Sequence, residues 1–192
     1  MKKIIFITSG KINYKFDNFT LYESIRETAM GSIFPGLDGE IINKPDIAFD
    51  KIICAPSNQC VETAKCFSKE FKIFEELLPL KFDLEKIISK DEFEKLGNNA
   101  FDVLRQRYLT AFFENKLIEG NREIILRLNK LIERLPEDST TLAISHAYLI
   151  KQFEAYYKLC EKMYTDFEKL SNIFKPEKET MGRLETVEII IN

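Results

Sequence analysis

Three short stretches of this 192-residue chain gather the side chains best suited to chemistry. The only histidine, His146, stands in Ser145-His146-Ala147, where an apolar run stops. Two further apolar runs stop the same way, one at Thr8-Ser9-Gly10-Lys11 and one at Ala55-Pro56-Ser57-Asn58-Gln59. In open α/β sheets, ligands bind beyond the carboxyl ends of the strands, so three such ends can share one crevice. Gly10 would let the backbone approach a ligand closely. The second and third stretches lead into helices, whose free N–H groups favour an anion.

The four cysteines are a weaker candidate. Cys54, Cys60 and Cys66 are evenly spaced and lack the close pairs of structural zinc sites. Cys60 and Cys160 fall on apolar helical stripes, so all four read as buried thiols in a reducing compartment. Cys54 ends a strand, as a cysteine phosphatase nucleophile would, but the loop after it lacks glycines and a terminal arginine. No metal and no cofactor are expected.

These residues must be positioned by a regular scaffold. Residues 3–8 (KIIFIT), 51–55 (KIICA), 140–145 (TTLAIS) and 184–191 (LETVEIII) read as strands. Helical stripes recur at three- and four-residue steps. They run through Cys60, Ala64 and Phe67 to Phe71, through Phe101, Leu104, Tyr108 and Phe112, and through Ile124, Leu128 and Leu131. The longest runs from Leu149 through Phe153, Tyr157 and Cys160 to Phe167. Alternating strands and helices predict a three-layer α/β/α sandwich around a mainly parallel sheet, in a single domain over residues 1–192. Residues 79–118 read as a helical insertion over one end of the sheet, and 13–39 and 176–183 as loops or short helices.

Composition narrows the functional classes. Hydrophobic residues make up 45% and charged residues 31%, the balance of a globular protein. The net charge is −3 with no basic tract, so neither nucleic acid nor an anionic membrane surface is expected as a partner. The apolar run after Met1-Lys2-Lys3 ends too soon for a signal peptide, which points to the cytoplasm.

At the three strand ends the chain resembles the histidine phosphatase, or phosphoglycerate mutase-like, superfamily. The matching segments are IIFITSGK (4–11), IICAPSNQCVETAKCF (52–67) and TLAISHAYLI (141–150), anchored by Gly10, Pro56, Thr63-Ala64 and His146. The resemblance spans nearly the whole chain and implies a phosphoglycerate mutase-like fold. It also exposes losses. The family's first arginine falls on Thr8, its nucleophilic histidine on Ser9 and its second arginine on Gln59, while its second catalytic histidine is kept as His146. Asp83 and Glu85 lie in the region of the family's proton donor.

Thr8 and Gln59 can donate single neutral hydrogen bonds, whereas a guanidinium gives paired charged donors to phosphate. Loss of one aimed donor typically costs about 3–4 kcal/mol of transition-state stabilisation. Ser9 would need His146 as a base before its hydroxyl could attack. The expectation is therefore a degenerate relative, a pseudoenzyme that binds a small polar or phosphorylated ligand, a protein partner or a second copy of itself. Thr8, Gly10, Lys11, Gln59 and Ala147 would line its site. The alternative is a phosphomonoester hydrolase with altered chemistry, using Ser9, His146 or both. Tyr14, Phe16 and Phe19 are further candidates for an interface.

Overall fold

The computed structural model describes residues 1–41, 43–114, 116–160 and 181–191. Its centre is a five-stranded sheet formed by β1 (Lys2–Thr8), β2 (Lys51–Cys54), β3 (Lys72–Ile73), β4 (Ser139–Ser145) and β5 (Thr186–Ile191), in the order β3-β2-β4-β1-β5. All neighbours are parallel except β5, which runs antiparallel to β1. Every residue from Ile4 to Thr8 and from Thr141 to Ser145 is buried, although side chains alternate between faces. Such strands need cover on both sides, which is why their sequences are continuous and apolar.

That cover comes from α2 (Asn58–Phe67), α6 (Asn121–Arg134) and α7 (Ala147–Cys160), which carry three of the expected stripes. Phe6 of β1 meets Phe153 of α7 with ring centroids 5.7 Å apart, both rings fully buried. The part of the longest stripe beyond Cys160, and most of 176–183, lie outside the described residues. β3 was not expected. Its two residues are exposed and carry no apolar run.

A second, smaller core lies beside the sheet. There α1 (Leu21–Ala29) packs against α3 (Leu84–Ile87), α4 (Lys90–Leu96) and α5 (Ala100–Phe113), burying Tyr22, Ile25, Leu84, Ile88, Phe93 and Leu104. α1 starts at a capping box. Thr20 Oγ1 accepts from the Glu23 amide, and Glu23 Oε2 accepts from the Thr20 amide.

One buried charge fixes the neighbourhood of β4. Glu76 lies in a 3-10 turn at Glu75–Leu77, is 3% exposed, and holds Lys130 at 3.0 Å and Arg134 at 2.7 Å. Arg134 also stacks over the Phe74 ring, 3.9 Å from its centroid. The same turn offers the Leu77 carbonyl to Ser145 Oγ at 2.6 Å, one residue before His146. An Arg134→Ala variant should lose about 2 kcal/mol, since a charge-assisted bond to a buried carboxylate goes and Lys130 alone remains. Urea denaturation will read this directly. Arg134→Lys should recover part of the loss by keeping the charge.

Candidate functional site

Sheet register brings the three strand ends together. Thr8 pairs with Ser145 across β1 and β4, and Cys54 pairs with Ile144 across β2 and β4. Ser9, Ala55 and His146 therefore leave the sheet at one level. Cross-links then tie the ends to each other. Ser9 N donates to Ser145 O at 3.3 Å, and Gly10 N donates to Thr63 Oγ1 at 3.2 Å. Thr63 in turn donates to Gln59 O at 2.6 Å, within α2.

His146 sits at the centre, with both ring nitrogens engaged inside the protein. Ser57 Oγ lies 3.1 Å from Nε2, and Gln59 Nε2 lies 3.4 Å from Nδ1. Cys60 Sγ is 3.8 Å from Nε2. With the Gln59 amide nitrogen donating to Nδ1, the ring proton resides on Nε2 and is donated to Ser57 Oγ. Burial pushes the pKa of His146 down to about 4, so the imidazole is neutral at neutral pH. Ser57 is fully buried and, in this arrangement, is an acceptor rather than an activated nucleophile.

Sequence reasoning missed Ser57 as the partner of His146. Ser57 is the N-cap residue of α2, a position where the hydroxyl usually bonds the helix's own amides. Here it makes no such bond, and turns to the imidazole instead. Ser9 and His146 both line one crevice, and among the described residues no hydrogen bond joins them.

Two cavities meet at His146 and Ala147. The outer one, about 290 Å³, is lined by Thr8, Ser9, Gly10, Lys11 and the 181–183 segment. The inner one, about 270 Å³, is lined by Gln59 and by aromatic and aliphatic side chains including Tyr14, Phe82, Phe101, Tyr108 and Tyr148. The crevice is thus polar at the strand ends and mainly apolar behind them. Tyr14 borders both cavities and packs on Phe101, while Phe16 packs on Phe19.

Several candidate ligand groups are taken by the chain itself. Thr8 Oγ1 donates to Gly182 O at 2.6 Å. Lys11 forms an ion pair with Asp38. A Cβ at Gly10 would come within 3.1 Å of Ile41 Cδ1 and Leu37 Cδ2, so the close approach the glycine permits is that of its own loop. The Gln59 amide, in the first turn of α2, donates to Pro35 O at 3.0 Å, which occupies a donor an anion would use. The start of α7, at Ala147, still borders both cavities.

Asp83 and Glu85 border neither cavity. Asp83 caps α3 by accepting from Glu85 N, and Glu85 pairs with Arg26. Among the described residues that line the two cavities there is no carboxylate. Arg183, which sequence reading passed over, lines the outer cavity beside Lys11. Burial pushes the thiols of Cys54 and Cys60 up to about 11 and about 12, which leaves them protonated and poorly nucleophilic.

No protein-family model matches the sequence, and no curated protein matches it. Solved structures do. The alpha-ribazole phosphatase of Shigella flexneri aligns over 99% of this chain and 91% of its own, with 15% identity and a TM-score of 0.54. The phosphoserine phosphatase of Entamoeba histolytica, solved with 3-phosphoglyceric acid, aligns over the same shares, with 18% identity and a TM-score of 0.50. At such identities the likeness speaks for architecture alone. The mainly parallel five-stranded sheet, its register and these alignments together make the fold phosphoglycerate mutase-like.

Proposed function

We propose that this protein is a histidine-phosphatase-like binding module without ordinary phosphatase or mutase turnover. The observation that carries the reading is the state of His146, a neutral imidazole with both nitrogens bonded internally and no carboxylate among the described residues that line the cavities around it. Phosphoryl transfer to or from a side chain needs an available nucleophile, a proton donor and a charge clamp on the phosphate. Ser9 and Thr8 stand where the resembling family keeps its nucleophile and first arginine, and Gln59 where it keeps the second. In this reading the whole chain is one domain, and residues 79–118 are a helical cover that closes the inner cavity. The guest is a small molecule held between the strand ends and that cover.

Assay with p-nitrophenyl phosphate tests the proposal. Wild-type protein should show only background hydrolysis from pH 5 to 8, unchanged in Ser9→Ala and His146→Ala. Turnover well above background that vanishes in both variants would establish the altered phosphomonoesterase instead.

A further inference from the structure

The two helices that start at the strand ends differ at their N-termini. At α2 the chain fills the place itself, because Pro35 O accepts from the Gln59 amide. At α7 the amides of Ala147, Tyr148 and Leu149 meet no acceptor among the described residues, and Ile150 N is the first to be bonded, to His146 O at 3.0 Å. Ala147 borders the outer cavity, where such amides favour an anion.

Ser9 adds an open hydroxyl to the same cavity. The residue is 7% exposed, and its hydroxyl has no hydrogen-bond partner among the described residues. Unlike the sealed side-chain atoms of Gln59, Thr141 and Gln152, it keeps accessible surface, at a residue that lines the outer cavity. Charge comes from Arg183, which is exposed, lines this cavity and forms no ion pair among the described residues. Lys11, the other cation of the lining, is paired with Asp38, and Glu185 accepts from the Gly182 amide. One guanidinium left over suits a monoanion, and its parallel donors match a carboxylate.

The inner cavity suits what such an anion carries. The two cavities share Ile12, Tyr14, His146 and Ala147, and behind them Leu80, Phe82, Phe101 and Leu104 form mainly apolar walls. The polar groups of this lining are neutral or engaged. Thr28 Oγ1 donates to Ser24 O at 2.8 Å, Arg105 is engaged within the protein, and His146 is neutral. Burial raises the pKa values of Tyr14, Tyr108 and Tyr148, which stay un-ionised. At about 270 Å³ the cavity exceeds the roughly 150 Å³ that takes benzene, so an aryl ring fits.

We propose that the crevice binds a small aryl carboxylate, with the carboxylate in the outer cavity on Arg183, Ser9 Oγ and the first amides of α7, and the ring in the inner cavity. This rests on the binding-module reading and names the class of its ligand. The charge stays at the solvated mouth, which avoids the cost of burying it, while the ring gains contact area behind.

The probes are 3-phenylpropionate, its neutral analogue 3-phenylpropanamide, acetate and phenyl phosphate, titrated at pH 7 with saturation-transfer NMR. Wild-type protein should bind 3-phenylpropionate saturably and about tenfold tighter than the amide, the worth of one charge-assisted hydrogen bond. Acetate, which has no ring, should bind far more weakly. In Arg183→Gln the acid-to-amide ratio should fall severalfold, and Phe101→Ala should weaken both compounds. Absence of saturable binding by the acid, a wild-type ratio near one, a ratio unchanged in Arg183→Gln, or tighter binding of phenyl phosphate than of the acid would each overturn the proposal. Probe failure with no p-nitrophenyl phosphate turnover removes the ligand class alone, whereas turnover removes the parent reading.

Discussion

Acidification from pH 7 to pH 5 should cost about 2 kcal/mol through His146 alone, and the loss should reach about 3 kcal/mol near pH 4. The folded-state pKa is about 4, against about 6.5 for an unfolded histidine. Between those values the unfolded chain binds a proton that the folded chain refuses. Stability therefore rises with pH across the window and falls as pH drops through it. The cause is desolvation of the partly buried ring, whose two nitrogens meet Ser57 and Gln59 in place of water. Paired carboxylates such as Glu76 and Glu154, whose pKa values are lowered in the fold, also lose stability in acid. Their unfolded pKa values lie near 4.3, so their losses begin lower and leave pH 5–6.5 to histidine. Urea midpoints at pH 7, 6 and 5 measure the effect. His146→Gln should flatten the profile across that span, and an equally steep profile in the variant would place the acid sensitivity elsewhere.

This profile also bears on function. A catalytic base works best when its pKa lies near the working pH. An imidazole held near pKa 4 is a weak base, and one whose nitrogens already serve Ser57 and Gln59 has no free position for substrate. The same measurement thus reports on stability and on the argument against turnover.

What the sequence disclosed followed from local signals. Continuous apolar runs before Thr8 and Ser145 and in 51–55 marked buried parallel strands, because strands covered on both faces cannot alternate. Register in a parallel sheet aligns carboxyl ends, and Thr8, Ser9 and His146 line one cavity there. β3 escaped because two exposed residues carry no pattern. α1 had a readable sign in Thr20 and Glu23, three apart, but it lies in a stretch poor in apolar periodicity.

Side-chain direction was the larger gap. Nothing local says that an N-cap serine will turn from its helix toward a histidine 89 positions later, as Ser57 does. Nor does spacing reveal that Lys11 will be held by Asp38, or that Thr8 will spend its hydroxyl on Gly182. The inner cavity draws Tyr14, Gln59, Phe101, Tyr108 and Tyr148 from four separate parts of the chain. Phe101 and Tyr108 sat on a helical stripe and read as core. Tyr108 is buried, but Phe101 is 43% exposed and forms part of the cavity wall. Such sites are products of tertiary packing.

Truncation of Phe153 to alanine should lower stability by about 3–5 kcal/mol and the melting temperature by roughly 10 °C. Phe153 is fully buried on α7 and packs on Phe6 of β1, so its removal opens a void between two elements that the close-packed interior cannot collapse around. The loss is a large share of the roughly 5–15 kcal/mol that holds a domain together. Phe153→Leu should cost less, about 1–2 kcal/mol, since most of the volume is kept. Leu126, 54% exposed on α6, is the matching control, and its alanine variant should stay within about 0.5 kcal/mol. The consequence reaches the site because β1 ends at Thr8 and α7 begins at Ala147, so both walls of the outer cavity hang on this contact. Hydrogen exchange should show Ser9 N–H, bonded to Ser145 O, losing protection in Phe153→Ala by as much as the global stability falls. If the amide exchanges equally fast in wild type, the strand ends open independently of the core, and the crevice is not held by the Phe6–Phe153 packing.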